Sequence, residues 1–155
     1  MMHIGSARPL RIEPDVVKEP RVHVLPADAT AKDAAELMAQ TGAGAVVVLG
    51  PDGRFAGLIT DQDLVREVMA KGLHADAVRL ASLTTRRPEC LQPSDFVLDV
   101  LDLMLVRNVR HLPVVVDKQV TAIVSIGDIC AAVRQSLDAQ LQACQAAVFG
   151  NLPRE

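Results

Sequence analysis

Two short stretches of this chain carry residue types able to bind a charged or hydroxylated small molecule. They are Gly57–Val65 (GLITDQDLV) and Ala122–Cys130 (AIVSIGDIC). Each places a hydroxyl residue at a strand end, then two residues, then an aspartate: Thr60 with Asp63, and Ser125 with Asp128. A hydroxyl just before a helix accepts a hydrogen bond from an unpaired amide of the first turn, and an acidic residue three positions on reaches back to the cap's own amide. The same geometry serves a ligand. A helix N-terminus favours an anion such as phosphate, the hydroxyl bonds a phosphate or ribose oxygen, and the carboxylate accepts the hydroxyls of a ribose. One such pattern is an ordinary cap, but its recurrence at the same place in a repeat points equally to a ligand. On residue types alone, both readings stand.

The elements that must position these residues are themselves duplicated. PRVHVLPADATAKDAAELMAQTGAGAVVVLGPDGRFAGLITDQDLVREVM is answered by RPECLQPSDFVLDVLDLMLVRNVRHLPVVVDKQVTAIVSIGDICAAV, with one-residue slips in the loops. Each copy predicts strand, helix, strand, strand, helix. The opening extended pieces are Val22–Leu25 and Glu89–Gln92, each stopped near a proline. Helical spacing follows at Ala31, Ala34, Ala35 and Met38, and at Val97, Leu101 and Met104. Val46–Leu49 and Val114–Val116 are β-branched runs suited to buried strands. Pro51-Asp52-Gly53 and Asp117-Lys118 turn the chain into third strands at Phe55–Ile59 and Val120–Val124. The resulting division is a loose N-terminal arm over 1–15, a first repeat over 16–72, a second over 73–136 with a connecting turn at Val78–Leu83, and a C-terminal helical extension over 137–155.

Composition narrows the function classes. The 155 residues are half hydrophobic, with three Phe and neither Trp nor Tyr, so the core is aliphatic and stacking platforms for single-stranded nucleic acid are missing. A net charge of −3 disfavours a nucleic-acid surface. Arg86–Arg87 and Arg107–Arg110 suit at most one or two phosphates. Three cysteines without short spacing suggest neither a disulfide framework nor a zinc knuckle. No secretion signal or membrane insertion is expected, and a cytoplasmic location follows as the default. No nucleophile or paired carboxylate accompanies His111. Asp61 and Asp63 diverge by about 200° around a helix, so neither catalysis nor a metal site is expected.

The order of elements, the strand-end sequences GLITDQD and AIVSIGD, and the NVRHLPVVV run resemble the CBS (cystathionine-β-synthase) domain, which usually occurs as a tandem pair. The resemblance spans about Val16 to Arg134. It implies an α/β (α+β) fold of two repeats in a pseudo-two-fold pair, with clefts for adenosyl ligands such as AMP, ADP, ATP or S-adenosylmethionine. It implies that Asp63 and Asp128 hold ribose and that Thr60 and Ser125 hold phosphate or ribose. Backbone around His23 and Pro88 would face adenine, with Ile59 and Val124 packed near the base. The first repeat departs from the pattern, with TGAGAVVV in place of NVRHLPVVV. Arg110 and His111 are candidate phosphate contacts; otherwise they are surface residues at the cleft mouth.

The second copy's VLDVLDLMLVR is apolar nearly all round, and Ile129, Val133, Leu137, Leu141, Cys144 and Val148 form a stripe on the last helix. A homodimer or an unidentified client protein is expected to cover them. The functional expectation is a regulatory adenine-nucleotide module that passes occupancy to a partner. The alternative is a ligand-free dimerisation or scaffold module.

Overall fold

The computed structural model describes residues 8–19, 21–84 and 88–149. The first repeat contains β1 (Val24–Pro26), α1 (Ala31–Thr41), β2 (Ala45–Leu49), β3 (Phe55–Thr60) and α2 (Asp61–Leu64). The helix then widens over Val65–Met69, where Ala70 N–H donates to Val65 O. A short α3 (Leu80–Leu83) links to the second repeat: α4 (Val97–Arg107), β4 (His111–Val116), β5 (Gln119–Ser125) and the long α5 (Ile126–Phe149). The fold is the mixed α/β pair that the duplicated pattern implies.

In the first repeat β1 runs parallel to β2, and β2 antiparallel to β3. In the second, β4 and β5 form the antiparallel pair. The expected opening strand at Glu89–Gln92 shrinks to one parallel bridge, Leu91 with Val114. It is held by Leu91 N–H to Pro113 O at 2.7 Å and Val115 N–H to Leu91 O at 2.9 Å. Proline at 113 donates no bond, which limits that edge. The tight β4–β5 turn puts Asp117 and Lys118 at φ 49° and 66°, the mirror-image turn whose twist suits a two-residue hairpin.

Each repeat has its own aliphatic core. Ala34, Met38, Val46, Val48, Ile59 and Leu80 form the first. Leu91, Val97, Val100, Met104, Leu112, Val114, Val124 and Ile129 are among those forming the second, with Ile12. The expectation of a loose arm is corrected for residues 8–15; residues 1–7 lie outside the described ones. Ile12 is fully buried, its N–H donates to Asp95 O, and Val97 N–H donates to Leu10 O. The linker does the same for the first repeat: Leu80 is fully buried, its N–H donates to Ala29 O, and Ala31 N–H donates to Val78 O. Arg11 and Arg79 match as well, donating to Ser94 O and Asp28 O. The Leu-Arg-Ile and Val-Arg-Leu triplets are therefore a further repeated element, carried by segments taken above for an arm and a turn. Burying one aliphatic side chain of this size contributes roughly 1.5–3 kcal/mol, which is enough to hold a short segment in place.

Candidate functional site

Both helix starts close the expected capping box. At α2, Asp63 N–H donates to Thr60 Oγ1 (3.2 Å) and Thr60 N–H to Asp63 Oδ2 (2.9 Å). At α5, Asp128 N–H donates to Ser125 Oγ (3.1 Å) and Ser125 N–H to Asp128 Oδ2 (2.8 Å). The hydroxyls of Thr60 and Ser125 also donate to those same Oδ2 atoms, at 2.9 and 2.7 Å. Each carboxylate thus commits Oδ2 to its cap and keeps Oδ1 outside it. Capping and ligand binding are compatible uses of one aspartate.

The backbone fixes how the two starts correspond. Asp61 N–H donates to Gly44 O at 3.0 Å, and Ile126 N–H donates to Arg110 O at 2.9 Å. Gly44 therefore answers Arg110, and Ala45 answers His111. The two sites then differ in charge. At α2 the first residue is Asp61, whose Oδ1 accepts Gln62 N–H at 2.8 Å. That helix start carries its own anion. At α5 the equivalent residues are Ile126 and Gly127. No side-chain carboxylate covers the Gly127 amide among the described residues, so this N-terminus stays open to an external anion.

Ser125 and Asp128 border a cleft of about 400 Å³ between the repeats, lined also by Arg21, His23, the Thr41–Ala45 segment, His111 and Ile123. Four expected site residues (His23, His111, Ser125 and Asp128) meet here across the pseudo-two-fold. Thr60 and Asp63 do not line it. A shallower depression of about 300 Å³ lies beside them, against Asp61, Gln62, Val65 and Arg66. Arg110 is exposed next to the cleft, and Pro88 is half-buried outside it. Arg86–Arg87 lie outside the described residues.

Ile59 and Val124 require correction. Both are fully buried and belong to the two cores. Side chains alternate along a strand, so their neighbours face the other way, and Ile123 rather than Val124 lines the cleft. Sequence reasoning missed Ile123 and Arg21, whereas the small residues of the TGAG stretch do leave room in the cleft. Strict alternation along β5 was the available signal for Ile123. Arg21 carries a signal only once the repeats are packed together.

His111 bridges the repeats. A Cβ built on Gly44 would lie 2.7 Å from His111 Nε2 and 2.8 Å from Cε1, so the ring occupies the space that glycine leaves. Burial holds the His111 pKa below the ordinary histidine value; Asp61, Asp128 and Asp63 oppose that effect, and Arg110 adds to it. The missing His-Leu-Pro of the first repeat thus has a packing counterpart, small residues facing the second repeat's histidine.

A family model for the CBS domain matches residues 14–70 and 80–135. The chain belongs to the CBS domain family. Among curated relatives it is similar to the CBS domain-containing protein CBSX3, mitochondrial, of Arabidopsis thaliana, 32% identical over 127 residues, which covers 79% of this chain and 62% of that protein. The chain thus spans less than two thirds of that relative's length. Among solved structures it is similar to the CBS-domain containing protein ATU1752 from Agrobacterium tumefaciens, 27% identical with a TM-score of 0.68, covering 74% of this chain and 85% of that one. The CBS domain protein PAE2072 from Pyrobaculum aerophilum, complexed with AMP, shares the fold at 24% identity and a TM-score of 0.70, covering 83% and 99%. A CBS pair of this kind is typically a regulatory module. No helix among the described residues is long and apolar enough to cross a membrane, and they contain no cluster of potential metal ligands.

Proposed function

We propose that this CBS pair is a cytoplasmic regulatory module that binds an adenine nucleotide in the inter-repeat cleft and passes occupancy to a partner protein without turning the ligand over. The observation that carries the reading is the open start of α5. Ser125 and Asp128 at that start border a cleft shared by both repeats, next in sequence to the uncovered Gly127 amide, so a ligand held there would touch both repeats and favour one relative arrangement. Such a shift needs different affinities for two states. Asp128 is suited to ribose hydroxyls, the helix start to phosphate and His23 to the base side. The AMP bound in the Pyrobaculum protein belongs to the same ligand class. At α2 the start is neutralised by Asp61, which favours one phosphate-bearing site per chain.

A thermal-shift series with AMP, ADP, ATP and S-adenosylmethionine tests this. Stabilisation should grow with ligand concentration. Asp128→Asn keeps an acceptor for the cap and removes the charge; it should abolish the response, whereas Asp63→Asn should leave most of it. Equal responses in wild type and Asp128→Asn would overturn the assignment. Release of product by pure protein would overturn the binding-only reading.

A second reading, a dimerisation or scaffold module, draws on the uncovered apolar helices. Leu98, Leu105 and Val106 on α4 and Leu137, Leu141 and Val148 on α5 are exposed in the single chain. A homodimer covers such faces most economically, and the two roles are compatible in one molecule.

A further inference from the structure

Resting on the nucleotide reading, we propose that His111 makes the cleft selective for ligand charge: its ring, seated on Gly44 between the two repeats, takes up a proton when an anionic group enters. Binding of AMP is then coupled to proton uptake, and binding of uncharged adenosine is not.

The seat is geometric. A side chain at 44 would push the ring from this seat, because its Cβ would fall within 3 Å of two imidazole atoms. The ring is half-buried, and it sits at the first residue of β4, where the second repeat abuts the first. The charged groups around it come from both repeats. Asp61 and Asp63 face it from the start of α2, and Asp128 faces it from the start of α5. Arg110 precedes it on its own strand, and Arg21 and His23 line the same cleft.

In the free protein burial outweighs the three carboxylates and the ring is neutral near pH 7. A phosphate brought beside it adds negative charge at short range in a partly desolvated site, which favours the imidazolium. Because the proton is bound more tightly in the complex, affinity for AMP rises as pH falls. The rise spans the interval from the pKa in the complex down to the lower value in the free protein, and by linkage is at most about tenfold per pH unit for one whole proton. The neutral counterpart at this pseudo-symmetric position, Ala45, has no such group to offer.

Calorimetry of AMP binding to the full chain tests the coupling, run at pH 7.5 in two buffers of different ionisation enthalpy, with adenosine as the uncharged probe. Wild type should take up a fraction of a proton with AMP and none with adenosine, and His111→Gln should take up none with either. AMP binding with no uptake, or with equal uptake in His111→Gln, overturns this proposal and leaves the nucleotide reading intact. If neither AMP nor adenosine binds to wild type, the nucleotide reading falls, and this proposal with it. A ligand-free measurement probes the seat directly. NMR titration of the His111 ring should give a pKa below the ordinary histidine value in wild type. In Gly44→Ala, whose methyl displaces the ring, it should move back toward that value. An ordinary value in wild type, or an unchanged one in the variant, overturns the proposal whatever binds.

Discussion

Ile12 and Leu80 occupy equivalent seats in opposite repeats. Each is fully buried, and each amide donates to a carbonyl just before the first helix of the repeat it covers: Asp95 O for Ile12 and Ala29 O for Leu80. The segment ahead of the first repeat thus completes the second, and the segment between the repeats completes the first. This crossing links each repeat to a segment that precedes or follows the other.

Ile12→Ala should therefore destabilise the protein by about 2–4 kcal/mol, the range for truncating a fully buried aliphatic side chain. Leu80→Ala should cost a similar amount. Urea unfolding followed by circular dichroism measures both. A loss under about 0.5 kcal/mol for Ile12→Ala, as for a surface change, would contradict its placement.

The crossing also shows where the sequence was legible and where it was not. Helices α1, α4 and α5, both hairpins and both capping boxes follow from periodicity, turn residues and the spacing of Thr60, Asp63, Ser125 and Asp128. Those signals are local. Leu10-Arg11-Ile12 and Val78-Arg79-Leu80 are too short for periodicity to mark, and only their partners in the other half of the chain give them a role. The resemblance implies a place near the base for Ile59 and Val124, whereas strand alternation turns them into the cores. The packing of His111 on Gly44 joins residues from different repeats, so no local pattern announces it.

The ion pair of Arg8 with Asp15 gives a pH prediction. The Arg8 guanidinium, with help from the Arg11 amide, holds the Asp15 carboxyl below its ordinary range. A depressed carboxylate adds stability above the unfolded pKa near 3.9, and loses it as pH falls through the lower folded value. Asp15→Asn should be less stable than wild type at pH 7, by a small amount because Arg8 is exposed. The difference should shrink as pH falls into the acid range. Parallel melting curves at pH 7 and pH 3 check the sign.

The two caps separate structure from ligand binding. Thr60→Ala and Ser125→Ala should each cost about 1 kcal/mol of stability, the usual loss for an N-cap hydroxyl. Only Ser125→Ala should also weaken AMP, because Thr60 lies outside the cleft. Comparable weakening by both would place the ligand elsewhere.

The exposed helix faces predict self-association. Leu105→Asp combined with Val106→Asp should shift sedimentation from dimer to monomer while leaving the circular dichroism spectrum unchanged. Wild type sedimenting as a monomer at micromolar concentration would remove the homodimer.

The most direct test of the nucleotide reading is an amide-resolved NMR titration of the ¹⁵N-labelled chain with AMP. The largest shifts are predicted at Gly127, Asp128, Gly44 and His23, saturating together, with the α2 start moving less. Saturable shifts confined to other surfaces, or no shifts up to millimolar AMP, would contradict it.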